Sequence, residues 1–180
     1  KARANLAAHI RNLRQFGAEP IVALNRFTKD TAAELRLAAE LCRKEGVEAV
    51  VAEGWAKGGR GCVNLAKSVL KQLELNQNMN SCPHLLYADS LPLIDKITAV
   101  ATRIYGARKV TFSAAAHREL AKFTRWGYGE LPVCIAKTQN SISHDKNLLG
   151  APHGYTFPIT EARLSAGAGF VVALSGEIYT

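Results

Sequence analysis

The apolar positions of the chain fall into two rhythms, one of helical spacing and one of short unbroken runs. Leu6, Ile10 and Leu13 recur at helical spacing over residues 4–16, and Gly17 follows as a stop. His9 lies near that stripe, a core-edge or surface histidine. After Pro20 comes the run Ile21-Val-Ala-Leu24, read as a buried strand, and then the polar loop 25–30. Thr31-Ala-Ala-Glu34 has the form of a capping box, with Asp30 an equally good cap. It opens a helix whose apolar face carries Leu35, Ala38, Ala39, Leu41 and Cys42 and which stops at Gly46. A second apolar run, Ala49-Val-Val-Ala52, follows. Strand, helix and strand with such short links predict a right-handed βαβ unit with its two strands parallel.

Residues 63–75 read as a further amphipathic helix, and residues 76–83 as a polar segment ending in proline, where composition changes. The expected organisation is therefore a βαβ part over 1–75, a linker over 76–84 and a second, smaller α/β lobe over 85–180. In that lobe, Ser90-Leu-Pro starts a helix with proline in the first turn that runs to Tyr105. Val110-Thr-Phe112 is a short strand, Ser113 a cap, and residues 114–126 a helix closed by Gly127, with Trp126 packing near Phe123. Leu131-Pro-Val-Cys-Ile-Ala136 is a buried strand, residues 156–164 alternate as a strand, and Ala166-Gly-Ala-Gly169 leads into a last strand over 170–174. Arg163 faces a polar partner on this pattern. The fold class is α/β, with parallel-sheet units first and a smaller α/β lobe after them.

With 180 residues, 48% of them apolar, the chain is long enough for one core or for a core and a smaller lobe. No apolar run is long enough for a membrane span and no charged-then-apolar leader opens the sequence, so a soluble cytoplasmic protein is expected. The chain begins at Lys1 within one helix-length of its first element and ends at Ile178-Tyr-Thr180 just past a strand, which suggests a piece of a longer polypeptide. Cys42, Cys62, Cys82 and Cys134 form no C-x-x-C pair, against a zinc or redox motif; Cys42 and Cys134 are expected in the core as small hydrophobes. The net charge of +8 suits an anionic partner, yet the basic residues are spread along the chain with no basic run. A single-stranded nucleic acid and an anionic small molecule both fit, as does a scaffold fragment that binds neither.

Candidate chemistry concentrates where the first two strands end. If those strands are parallel neighbours, Phe27 and Trp55 emerge at the same carboxyl edge, where open α/β sheets bind ligands. The rings either clamp a flat heterocycle or cover strand ends, and spacing leaves both open. Trp55 sits in Glu53-Gly-Trp-Ala-Lys-Gly-Gly-Arg-Gly61, read as a flexible loop from a strand end. That loop lacks the G-x-x-x-x-G-K-[ST] phosphate motif. Lys57 and Arg60 are placed for an acidic substrate tail or are simply solvated, and Glu53 either meets the polar edge of a heterocycle or acts as a base, or is a plain surface carboxylate. The strand over 131–136 delivers Lys137-Thr-Gln-Asn-Ser-Ile-Ser-His144, in which Lys137 fits a phosphate or carboxylate and the rest fits an ordinary turn series. No complete catalytic constellation is present in this sequence.

Six segments in order carry a resemblance: Asn5-Leu with His9-Ile and Asn12, Ala23-Leu-Asn-Arg-Phe27, Glu53-Gly-Trp-Ala-Lys-Gly-Gly59, Ile104-Tyr-Gly-Ala107, Leu131-Pro-Val-Cys-Ile-Ala-Lys-Thr138 and Arg163-Leu-Ser-Ala-Gly-Ala-Gly-Phe170. Together they resemble the formate–tetrahydrofolate ligase family, in its C-terminal portion. The resemblance implies a P-loop NTPase-like parent fold and a homo-oligomer. It implies a reaction in which ATP, with magnesium, phosphorylates formate and the formyl phosphate formylates N10 of tetrahydrofolate. It also implies a monovalent cation, a pterin held between Phe27 and Trp55, and a nucleotide side formed by Asn25, Ala52, Glu53 and Gly54. The family's glycine-lysine-threonine loop and its formate-binding arginine have no counterpart here. The piece alone is therefore expected to be inactive.

Overall fold

The computed structural model describes residues 2–78 and 84–176. The linker expected over 76–84 falls largely outside them, as do Cys82 and the terminal Ile178 to Thr180. The chain divides into two compact units, one over Leu6–His84 and the other over Leu85–Thr180 with Lys1–Asn5.

The first unit holds a parallel βαβ motif. Helix α1 spans Ala2–Arg14, with its residues from Leu6 onward in this unit. Strand β1, Val22–Asn25, is followed by α2, Ala32–Lys44, and by β2, Ala49–Ala52. The strands pair in parallel with Val22 opposite Ala49 and Asn25 opposite Ala52, so both end at one level. Thr31 and Glu34 close the capping box at the start of α2. At its other end the guanidinium of Arg14 donates to the carbonyls of Glu45 (2.9 Å) and Gly46 (3.0 Å), a cation on the helix's negative terminus. Ile10, Cys42 and Val47 are buried beneath these elements, with Leu6, Val22 and Ala49 against them. Leu13, assigned by spacing to the apolar stripe of the first helix, is exposed.

After β2 the chain coils at once into a short helix α3, Gly54–Lys57, a 3₁₀ segment Gly58–Cys62 and the helix α4, Val63–Asn78. The flexible strand-end loop expected at Trp55 is thus helical. Its cause is a close backbone contact: Glu53 N donates to Gly61 O at 3.0 Å, and a Cβ on Gly61 would lie 2.4 Å from Glu53 O. Only glycine admits that approach, so the glycines fold the segment back instead of leaving it slack.

The second unit carries α5 (Leu93–Arg103), β3 (Lys109–Phe112), α6 (Ala114–Phe123), β4 (Val133–Ala136), β5 (Thr156–Ile159), β6 (Glu161–Ser165) and β7 (Phe170–Leu174). β3 pairs with β5 and β4 with β7, both in parallel, while β6 runs antiparallel to β7. The architecture is α/β with parallel strand pairs and a second α/β lobe, the fold class expected. The strand expected over 156–164 is broken at Thr160, whose N–H leaves for Leu174 O, so its halves serve different partners. Helix α6 is shorter than expected, because the backbone widens into a π-turn over Thr124–Tyr128 in which Gly127 takes φ 88°. Leu93, Ile97, Leu120, Phe123, Phe157 and Val171 sit in a shared core. Cys134, expected in the core, is exposed: on β4 it alternates with buried Ile135 and takes the outward side. Cys42 is buried as expected. Among the described residues no helix is long and apolar enough to cross a membrane.

Candidate functional site

The equal ends of β1 and β2 build the site. Arg26 N donates to Ala52 O at 2.9 Å, extending the ladder by one rung and setting the residue after β1 beside the residue after β2. Across that rung Arg26 Nη1 lies 3.3 Å from Glu53 Oε1, and one helical turn on, Lys57 Nζ lies 2.5 Å from Glu53 Oε2. The Glu53 carboxyl is held below the ordinary carboxylate range, first by the Lys57 hydrogen bond and further by the charges of Lys57 and Arg26. It therefore stays a carboxylate clamped between two cations.

The two aromatics neighbour this triad along the chain, Phe27 after Arg26 and Trp55 between Glu53 and Lys57. Phe27 is 52% and Trp55 70% exposed, and their ring centroids are 6.3 Å apart with planes tilted by 53°. Phe27 is fixed from the backbone, its N–H donating to Asp30 Oδ2 at 2.7 Å while Asp30 N donates to Phe27 O at 3.1 Å. Trp55 is fixed through α3, where Ala56 N and Lys57 N both donate to Glu53 O. One carbonyl thus receives a helix turn while a carboxylate four atoms away receives the lysine of that turn. Gly58, at φ 54° and ψ −144°, then redirects the chain into the 3₁₀ segment, a conformation open to glycine and strained for other residues.

Of the residues singled out by sequence, Asn25 ends β1 exposed, Ala52 is buried opposite it, and Gly54 begins α3. These gather with Phe27, Glu53, Trp55 and Lys57 at one carboxyl edge. Lys57 differs from expectation in having its charge already matched by Glu53. Arg26 is the residue that sequence reasoning passed over. Its signal was positional: the residue following each of two parallel strands of equal length must lie side by side, and here those residues carry opposite charge.

Lys137 belongs to the other unit. Its Nζ donates to Thr138 O at 3.0 Å and to Ser141 O, and stands 5.1 Å from the centre of the Tyr105 ring. Burial lowers its pKa. Carbonyls and a ring face, not a carboxylate, surround the ammonium, which ties its own loop together. In the same unit the His144 ring packs on Tyr155 and Phe157 at 5.7 and 5.6 Å, and Arg163 pairs with Glu161 on the surface. Trp126 touches Phe123 at 6.3 Å between centroids and has the Lys122 ammonium 4.7 Å from its ring centre, so the expected packing holds one side of an otherwise exposed indole.

Comparison with known sequences matches residues 1–180 to the family model described as formate–tetrahydrofolate ligase. A protein of that name from Maricaulis maris is 49% identical over 177 residues, covering 98% of this chain and 31% of that protein. Those from Paracoccus denitrificans and Granulibacter bethesdensis are 46% and 45% identical, over 98% and 100% of this chain and 31% of each relative. The chain spans just under a third of the length of these curated relatives.

Proposed function

The chain belongs to the formate–tetrahydrofolate ligase family, and from that premise we propose that it is the folate-facing, C-terminal portion of a cytoplasmic, homo-oligomeric ligase. That enzyme uses ATP and formate to form formyl phosphate and then 10-formyltetrahydrofolate. The observation that carries this reading is the pair of exposed rings, Phe27 and Trp55, held 6.3 Å apart at a parallel carboxyl edge. Exposed aromatics in contact with each other, and anchored by backbone bonds on both sides, suit a flat heterocycle better than they suit a core. A ring slipped between two parallel planes needs about 7 Å, two carbon contact distances of about 3.5 Å. The tilted pair is too close for that. Trp55 therefore turns to admit the pterin, and its exposure leaves it room to do so.

The ionic triad sets charged groups at the same carboxyl edge as the rings. Glu53 accepts from both cations and keeps lone pairs for the N–H edge of a heterocycle, while Asn25, Ala52 and Gly54 border the nucleotide side. Lys57, whose charge is shared with Glu53, is offered to an anionic group of a substrate at this edge; Lys137, held by carbonyls of its own loop, is a separate anion contact proposed within its own unit. Magnesium accompanies ATP, and a monovalent cation is implied by the family resemblance. The role proposed for this chain is to bind and orient the folate and to exclude water from it, through the paired rings and the ionic triad beside them.

The test is a tetrahydrofolate titration of the full-length protein carrying Trp126→Phe, followed by Trp55 fluorescence. Saturable quenching that disappears in Phe27→Ala is expected, with Trp55→Ala weakening binding by about 1–3 kcal/mol, the range for losing a stacked ring. Unchanged affinity in a folded Trp55→Ala protein would sink the clamp. A salt-sensitive response to a single-stranded oligonucleotide in place of folate would favour the nucleic-acid alternative.

A further inference from the structure

Helix α4 turns its more apolar face outward. Leu65, Ser68 and Gln72 form the side that is partly covered, where Ser68 Oγ donates to Glu48 Oε1 at 2.9 Å. On the opposite side Val63, Ala66, Leu70 and Leu73 recur at i, i+3, i+7 and i+10, and Leu70 and Leu73 are 60% and 52% exposed. That spacing is the seam along which one helix packs on another. In the same unit Leu37 of α2 and Val51 of β2 are also exposed, on a two-stranded parallel sheet, and parallel sheets ordinarily have both faces covered.

We propose that the Val63, Ala66, Leu70 and Leu73 stripe is a docking face for a helix from the part of the ligase polypeptide that lies outside these 180 residues. The inference rests on the reading of this chain as one portion of such a ligase. Two observations choose this occupant. The relatives of this chain are roughly three times its length, which supplies further polypeptide to cover the face. The face is also small: a self-standing interface takes roughly 20–30 residues on each side, far more than one helical stripe and its neighbours. A segment tethered to the same chain meets the stripe at an effective concentration that a free second copy lacks. Lys67 and Glu74, both exposed, border one edge of the seam just past Ala66 and Leu73, so the partner helix carries an apolar seam with a carboxylate opposite Lys67 and a basic residue opposite Glu74, while Lys71 lies away from the seam.

The test is thiol labelling of the full-length protein, read peptide by peptide by mass spectrometry, in the variants Leu70→Cys and Lys71→Cys. Leu70→Cys is expected to react about tenfold or more slowly than Lys71→Cys, since a covered thiol reacts only through local opening. Equal rates would overturn the proposal. Slow labelling that becomes fast on dilution to the monomer would assign the face to a second copy and overturn it as well. Labelling reports cover and not catalysis, so failure here leaves the folate titration standing, and failure of that titration leaves this result readable.

Discussion

Helices α4 and α5 are both amphipathic, and only one is used as a core helix. α5 buries Leu93, Lys96, Ile97 and Ala101, whereas α4 leaves Val63, Val69, Leu70, Leu73 and Leu75 exposed. The units around them differ in the same way. Among the described residues, thirteen buried hydrophobic side chains cluster in the unit of α5, against three in the unit of α4. The unit of α5 spends most of its apolar residues on its own core, leaving Leu85, Trp126, Leu148 and Leu149 exposed. The other holds its aromatics and leucines at the surface, Phe27 and Trp55 at the sheet edge and the leucines on α4. A region's stock of hydrophobic residues thus does not say whether it stabilises or binds; the direction in which the fold points them does.

The largest effect that tests this contrast is truncation at Phe157. Its ring is fully buried, stacked on Tyr105 at 5.6 Å and touching His144 and Tyr155. Phe157→Ala is expected to cost about 3–5 kcal/mol, the range for deleting a buried aromatic. Ile10→Ala, in the small core of the other unit, is expected near the low end of its class, about 2 kcal/mol, because few neighbours surround the cavity. Amide hydrogen exchange resolved by unit is the proper measurement, since one melting temperature is ill-defined for a chain of two units. Equal costs at the two sites would erase the contrast.

Lys96 sharpens it from the polar side. Its side chain is fully buried, with Nζ donating to Gly129 O at 3.2 Å and Leu131 O at 3.0 Å and lying 6.0 Å from the Tyr87 ring centre. It fastens α5 to the segment entering β4. Lys96→Met keeps the length of the side chain and strands two carbonyls, at about 2 kcal/mol. Burial lowers the lysine's pKa from 10.5, with Asp89 and Glu130 opposing the shift. The folded state thus releases its proton at lower pH than the unfolded state. Through the window between the lowered value and 10.5 the unfolded chain binds more protons, so the wild type gains stability relative to Lys96→Met as pH rises. Paired denaturation curves across that alkaline range should diverge, the wild-type advantage growing with pH; an advantage that shrinks with rising pH would refute the assignment of burial as the dominant cause.

Much of this was legible in the sequence where a local signal sufficed. The runs at 21–24 and 49–52, the capping box at Thr31 and the Ser113 cap each announce an element through a few adjacent residues, and each is present. What was not legible depended on contacts distant in sequence. Four glycines between Gly54 and Gly61 argue for a loop by propensity, and only the approach of Gly61 to the Glu53 carbonyl makes them helical. Arg26 and Glu53 become partners through strand register, 27 residues apart. Cys134 sits in an apolar run that is buried on one side only, so its exposure turns on parity, which the run conceals. The candidate residues at this edge could be grouped from sequence because each lies at or just past the end of a strand; the charge pairing among them could not.

The smallest effect lies at Thr31. Thr31 Oγ1 accepts from Glu34 N at 3.2 Å, while Glu34 Oε2 accepts from Thr31 N at 2.9 Å and from Thr31 Oγ1 at 2.8 Å. These bonds satisfy donors that the first turn of α2 would otherwise leave open, and they hold Glu34 below its ordinary pKa through the Thr31 backbone bond first. Thr31→Ala removes the hydroxyl and is expected to cost about 1 kcal/mol, the usual worth of such a cap. In a unit with so small a core that is a large share of what holds α2 against β1 and β2, and α2 is the crossover that sets the two strands parallel. Amide exchange in α2 should therefore accelerate about fivefold, while exchange in α5 stays as it was. Acceleration confined to the first turn, with the body of α2 unmoved, would mean that the helix is held chiefly by cover from elsewhere, and would weaken the contrast between the two units at its narrowest point.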